Sequence, residues 1–102
     1  MALIVQKYGG TSVGDVDRIR GVAQRVKGYV DQGHQVVVVV SAMSGETNRL
    51  VSMGRDIGGD HGSAREMDVL TASGEQVTIS LLSLGLLSIG VQAKSFLACL
   101  LY

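Results

Sequence analysis

Lys7-Tyr8-Gly9-Gly10-Thr11-Ser12 places a cation, two adjacent glycines and two hydroxyls in consecutive positions. The preceding Ala2-Leu3-Ile4-Val5 is a short apolar run with β-branched residues, which predicts a buried strand. Adjacent glycines after a strand let the backbone approach a ligand closely and permit positive φ. Their N–H groups, with the N-terminus of a following helix, can face an anion, and Lys7 adds a mobile positive charge. The chemistry suggested is phosphate binding. The plainer alternative is a glycine turn beside a solvated lysine. Two common phosphate loops are excluded. Gly9 and Gly14 have P-loop spacing, but Asp15-Val16 follows where Lys-Ser or Lys-Thr is needed. The three-glycine dinucleotide pattern fails because Thr11 occupies the second glycine position. The lysine also precedes the glycines, so here the cation comes from the strand.

A second group lies at Ser41-Ala42-Met43-Ser44-Gly45, directly after the five valines Val36–Val40. A run apolar at every position predicts a strand buried on both faces, as in a parallel sheet covered by helices. Between the two strands, Val16, Ile19, Ala23, Val26 and Val30 recur at helical spacing, with Asp15 as N-cap and Gly33 closing the helix. Strand, helix, strand in this order makes a right-handed βαβ unit of parallel neighbours. Ligands in such sheets bind beyond the carboxyl ends of the strands, so the loops after both strands are expected to open on one edge.

Further along, Glu46 to Ile57 is expected to be helical, with Leu50, Val51, Met53 and Ile57 inward. Met67 to Leu70 also read as helix. Ser73-Gly74-Glu75-Gln76 fits a capping box before a separate apolar helix from Val77 to Ile89, which Gly90 ends. Val91 to Phe96 alternates like a third strand. Glu75 would then sit in a first helical turn, either complementing the helix dipole or holding a substrate ammonium group. Thr47, near another helix start, reads either as a cap or as a hydrogen-bond donor to a substrate carboxylate. His34 and His61 read as solvent-exposed loop residues without companion metal ligands. Leu81 to Leu87 is too short and too interrupted for a membrane span.

With 102 residues the chain is at most one domain, and its 46% apolar content is enough to bury a core. Nine basic and nine acidic side chains cancel. That balance, with three tyrosines, one phenylalanine and no tryptophan, argues against a nucleic-acid partner. A single cysteine, Cys99, fits a reducing cytoplasm and reads as a small hydrophobe in an apolar tail. Nothing near the N-terminus has the length of a signal-peptide core. Proline is absent, where about five would be expected at the usual ~5%.

Val5–Val13, Val39–Asn48 and Ser73–Thr78, with Arg65-Glu66-Met67-Asp68 between the last two, resemble motifs of the bacterial aspartokinase family in order and separation. The resemblance implies the N-terminal portion of an amino-acid-kinase fold, an α/β/α sandwich with a mostly parallel sheet. Residues 1–96 are the family-like part and 97–102 a divergent apolar tail, where the family continues with a Thr-Gly loop. Members transfer the γ-phosphoryl group of ATP, accompanied by Mg2+, to the β-carboxylate of L-aspartate, which feeds lysine, methionine and threonine synthesis. By that resemblance Lys7 would stabilise the phosphoryl group in flight. Tyr8, Gly9, Gly10 and Ser41 would line the nucleotide phosphates, and Thr47 and Glu75 would hold aspartate. The full-length parent is expected to be a cytoplasmic homo-oligomer with no membrane partner, and this shorter chain to be inactive and to self-associate. A related amino-acid or carbamate kinase, or a non-catalytic phosphate-binding module, are the alternatives.

Overall fold

In a computed structural model, described for residues 1–59 and 63–97, the chain forms a parallel β-sheet flanked by helices. Strand β1 spans Leu3–Tyr8 and pairs in parallel with β2, Gln35–Val40, in register from Leu3 opposite Gln35 to Tyr8 opposite Val40. Helix α1, Val16–Asp31, connects them. The expected pair of parallel neighbours with a helical crossover is therefore present. Two further helices follow, α2 at Glu46–Gly58 and α3 at Ala64–Ser88.

Local chemistry explains the ends of α1. The Asp15 side chain accepts a 2.8 Å hydrogen bond from the Arg18 N–H, satisfying a first-turn amide. At the other end Gly33, at φ +89°, donates to the Val30 carbonyl while His34 donates to that of Tyr29. That pair of bonds is a Schellman motif. The end of α3 repeats it: Gly90, at φ +86°, donates to Leu87, and Val91 donates to Leu86. Leu86 and Val91 are both buried, which supplies the accompanying apolar contact. Gly90→Ala is expected to destabilise the chain by about 1–2 kcal/mol, because a Cβ is strained in the left-handed region. An unchanged midpoint in urea unfolding would contradict that.

The core lies on one side of the sheet. Tyr8 and Val40, with the half-buried Val36 and Val38, meet Ile19, Val22, Ala23 and Val26 of α1 and Leu82 and Leu86 of α3. Strand side chains alternate, so the other face carries Leu3, Val5, Val37 and Val39. These are 65%, 66%, 48% and 49% exposed, and no helix covers them among the described residues. The five-valine run is thus buried on one face, not on both as expected.

Three other expectations need correction. In α2, Leu50 is buried, but Met53 is largely exposed and Ile57 almost fully so. The inward stripe runs through Val51, Gly54 and Gly58, and Gly54 faces Met67 and Leu70 of α3, which turns Met53 and Ile57 to the flank. In α3 there is no break at Ser73: the helix is continuous for 25 residues, and the Ser73 hydroxyl donates back to the Leu70 carbonyl at 2.5 Å. Packing overrides the local capping signal, since Gly74 is buried against α2. Val91 to Phe96 is not a strand, and among the described residues the sheet has two strands only. Alternation makes a segment compatible with pairing, yet Val91 is taken by the α3 cap and no neighbouring strand offers a ladder.

By length and composition α3 would suffice to cross a membrane, which the shorter apolar stretch alone did not suggest. Its buried positions Gly74, Thr78, Leu82 and Leu86 recur every four residues and face α1 and α2, as in a core helix. His34 is half-buried, not fully solvated, and its Nδ1 accepts the Ala2 N–H at 3.1 Å. His61 and Cys99, with residues 98–102 of the expected tail, lie outside the described residues.

Candidate active site

The parallel pairing puts the ends of β1 and β2 on one edge. Alternation sends Tyr8 inward and Lys7 outward, onto the same face as Leu3 and Val5. Tyr8 is buried, its hydroxyl donates to Gln6 Oε1 at 2.9 Å, and the Arg25 guanidinium lies 5.9 Å from its ring centre. Its ring therefore belongs to the core. Lys7 is exposed, at the next-to-last position of β1 before the glycines.

The loop from Gly9 to Gly14 is held from several directions. The Ser12 and Val13 N–H groups both donate to the Gly9 carbonyl, at 3.0 and 3.3 Å. Val13 is completely buried and anchors the loop to the core. Arg18, whose N–H is already capped by Asp15, donates from Nη1 to the Thr11 carbonyl at 2.6 Å. This arginine clips the loop to the first turn of α1, a role its sequence position alone did not reveal.

The loop after β2 meets that loop directly. The Ser41 N–H donates to the Tyr8 carbonyl at 3.2 Å, carrying the strand pairing one step further. A Cβ on Gly10 would lie 3.2 Å from the Ala42 carbonyl oxygen. One on Gly14 would lie 3.4 Å from the Ser44 Cβ and 3.3 Å from the Thr11 carbonyl oxygen. A side chain would be crowded at both positions, at Gly10 by the facing loop and at Gly14 by its own loop as well. Positive φ does not call for glycine here, since neither Gly9 nor Gly10 adopts it. Gly9 faces open space.

Gly45 does adopt positive φ, at +77°, and starts α2 without a side-chain cap. The first-turn N–H groups of α2 therefore keep the positive character of a helix N-terminus. Thr47, in that turn, is exposed and is not the cap. Glu46 receives hydrogen bonds from Nε and Nη2 of Arg49, which hold its carboxyl below the usual carboxylate range. The same pairing raises Arg49.

Glu75 is exposed and sits in the middle of α3, so it does not face that helix's dipole. Its neighbour Gly74 rests on Ala42, Glu46 and Leu50. Among the described residues no hydrogen bond or ion pair joins Lys7, Ser41, Thr47 or Glu75 to one another. Two depressions mark the surface nearby. One, of about 310 Å³, is lined by Tyr8, Thr11, Ser12, Arg18, Gly21, Val22 and Arg25. The other, of about 410 Å³, is an apolar groove between α1 and α3. Neither is lined by Lys7, Ser41, Thr47 or Glu75.

The sequence pattern of the amino acid kinase family matches residues 2–100. The chain belongs to the amino acid kinase family. Its aspartate kinase relatives agree closely in sequence and fold. An aspartate kinase of Stutzerimonas stutzeri is 56% identical over 96 residues, covering 94% of this chain and 23% of the relative. Aspartokinase 2 of Bacillus subtilis is also 56% identical over 96 residues, again 94% of this chain and 23% of the relative. The crystal structure of an aspartate kinase from Synechocystis superposes with a TM-score of 0.88 at 53% identity, over 92% of this chain and 16% of that one. This amino acid kinase chain thus spans about a quarter of the length of the curated relatives it matches.

Proposed function

We propose that this segment forms the phosphate- and acceptor-facing edge of an aspartate kinase, which transfers the γ-phosphoryl group of ATP to the β-carboxylate of L-aspartate. The observation that carries the reading is the abutment of the Gly9–Gly14 and Ser41–Gly45 loops beyond the parallel strand ends, with Lys7 beside them. The names of the relatives give the acceptor.

Phosphoryl transfer is mainly positioning and charge stabilisation, and it needs no nucleophile from the protein. Lys7, held at the end of β1, supplies positive charge to the phosphoryl oxygens as negative charge redistributes. The Gly9 and Gly10 amides donate to phosphate, and Ser41 lines the path beside them. Thr47 donates to the acceptor's carboxylate from the first turn of α2, where the helix terminus favours an anion. Glu75 holds the acceptor's ammonium group. Mg2+ travels with the ATP phosphates, and no residue of this segment is assigned to it. Residues 1–96 are the kinase portion in this reading.

A full-length context for the test is a chimera in which residues 1–96 replace the 96 matching residues of the Bacillus subtilis enzyme. There Glu75→Ala is expected to raise the KM for L-aspartate about 10–100-fold, since a hydrogen bond to a charged group contributes roughly 1.5–3 kcal/mol. The KM for ATP should stay near its starting value. A KM for aspartate that does not move removes Glu75 from the acceptor site.

A further inference from the structure

α2 and α3 pack as an antiparallel pair, with a glycine on each helix facing the other. Gly54 of α2 faces Met67 and Leu70 of α3, and Gly74 of α3 faces Ala42, Glu46 and Leu50. The two notches are not equivalent. A Cβ at position 54 would come within 2.7 Å of the Met67 Sδ and 2.9 Å of a Leu70 Cδ, both far ends of flexible side chains that can swing aside. A Cβ at position 74 would meet the Ala42 Cβ at 3.1 Å. That methyl has no rotamer to change, and Ala42 is buried in the loop after β2. Relief there requires movement of the loop backbone or of α3 itself.

Gly74 therefore controls how closely α3 sits on the β2–α2 loop. It lies between Ser73 and Glu75, while the loop it touches carries Ser41 and leads into Thr47. We propose that Gly74 is a positioning residue: its missing side chain sets the spacing between the loop at Ser41–Thr47 and Glu75, and so tunes binding of the amino-acid acceptor. This rests on the aspartate kinase reading for the identity of the acceptor, but the spacing itself does not. Glu46 takes part from its aliphatic side, since its Cγ is 3.4 Å from the Gly74 Cβ position while Arg49 fixes its carboxylate.

Two measurements test it with three variants: Gly74→Ala, Gly54→Ala, and Gly74→Ala combined with Ala42→Gly. In the 102-residue chain, Gly74→Ala should speed hydrogen exchange at the amides of residues 41–47. Gly54→Ala should not, and the double variant should restore protection, because it returns the space the new methyl occupies. In the full-length chimera, Gly74→Ala should raise the KM for L-aspartate about tenfold, as expected when a charge-assisted hydrogen bond is stretched from its favoured geometry. The KM for ATP should hold, and Ala42→Gly should reverse the effect. Unchanged exchange at residues 41–47 in Gly74→Ala overturns the proposal. So does a rise in aspartate KM that Gly54→Ala produces equally. A chimera without aspartate-dependent turnover would count against the acceptor assignment alone, because the exchange measurement still decides whether Gly74 sets the spacing.

Discussion

Replacing Lys7 by alanine in the full-length chimera is expected to lower kcat by about 10²–10³-fold while the KM for L-aspartate stays nearly constant. A preorganised charge aimed at the transition state contributes roughly 2.7–4 kcal/mol when judged by removal of one such donor. Lys7 is suited to that role by position. It is exposed near the end of β1, next to the loop that Val13 and Arg18 hold in place. No carboxylate pairs with it among the described residues, so its charge is free to act on a ligand. An effect confined to kcat marks a charge that matters when negative charge redistributes in the transition state. An equal rise in KM for ATP with kcat unchanged would make Lys7 a ground-state phosphate ligand only.

The 102-residue chain by itself is expected to form no measurable ADP in response to L-aspartate. Orientation of the two substrates can contribute about 7–11 kcal/mol to such a reaction, and the chain spans about a quarter of the length of the relatives it matches. Lys7 and Thr47 are exposed and Ser41 half-buried in this segment, which fits that expectation. The same chain should run larger than a monomer in sedimentation. Leu3, Val5, Val37 and Val39 form an exposed apolar sheet face, and both outer strand edges are unpaired among the described residues. Aspartate-dependent turnover by the isolated chain, abolished by Lys7→Ala, would refute the first expectation, and a monomeric mass at micromolar concentration the second.

Much of the fold was legible because its signals are local. Asp15 and Gly33 bound α1 by capping chemistry, and the chain order strand, helix, strand fixed the parallel pair. The glycine loop was legible as a loop, but the reason for its glycines was not. Gly10 lies against the β2 loop, a contact between residues about thirty apart in sequence, and Gly14 is crowded by its own loop and by Ser44. α3 was misread for a related reason. Ser73-Gly74-Glu75-Gln76 has the residue types of a helix start, yet Gly74 is there for the packing of one helix on another, and Ser73 satisfies its hydroxyl within the helix. The five valines predicted burial correctly for Val36, Val38 and Val40. Their partners on the other face carry the same side chain with nothing over them among the described residues, and periodicity has no means of telling the two apart. Arg18 illustrates the remaining limit. It stands one helical turn from the Asp15 cap, yet its guanidinium also reaches back to the Thr11 carbonyl, which no local pattern announces.

Acceptor-dependent phosphoryl transfer by the chimera tests most directly whether residues 1–96 are the catalytic edge of an aspartate kinase. The acyl phosphate formed on a β-carboxylate reacts with hydroxylamine, so the product can be trapped as a hydroxamate and counted against ADP. The expected result is one hydroxamate per ADP with L-aspartate, and background levels when L-glutamate or carbamate replaces it or when Lys7 is alanine. ADP formation that ignores the amino acid supplied, or that persists unchanged in Lys7→Ala, would contradict it.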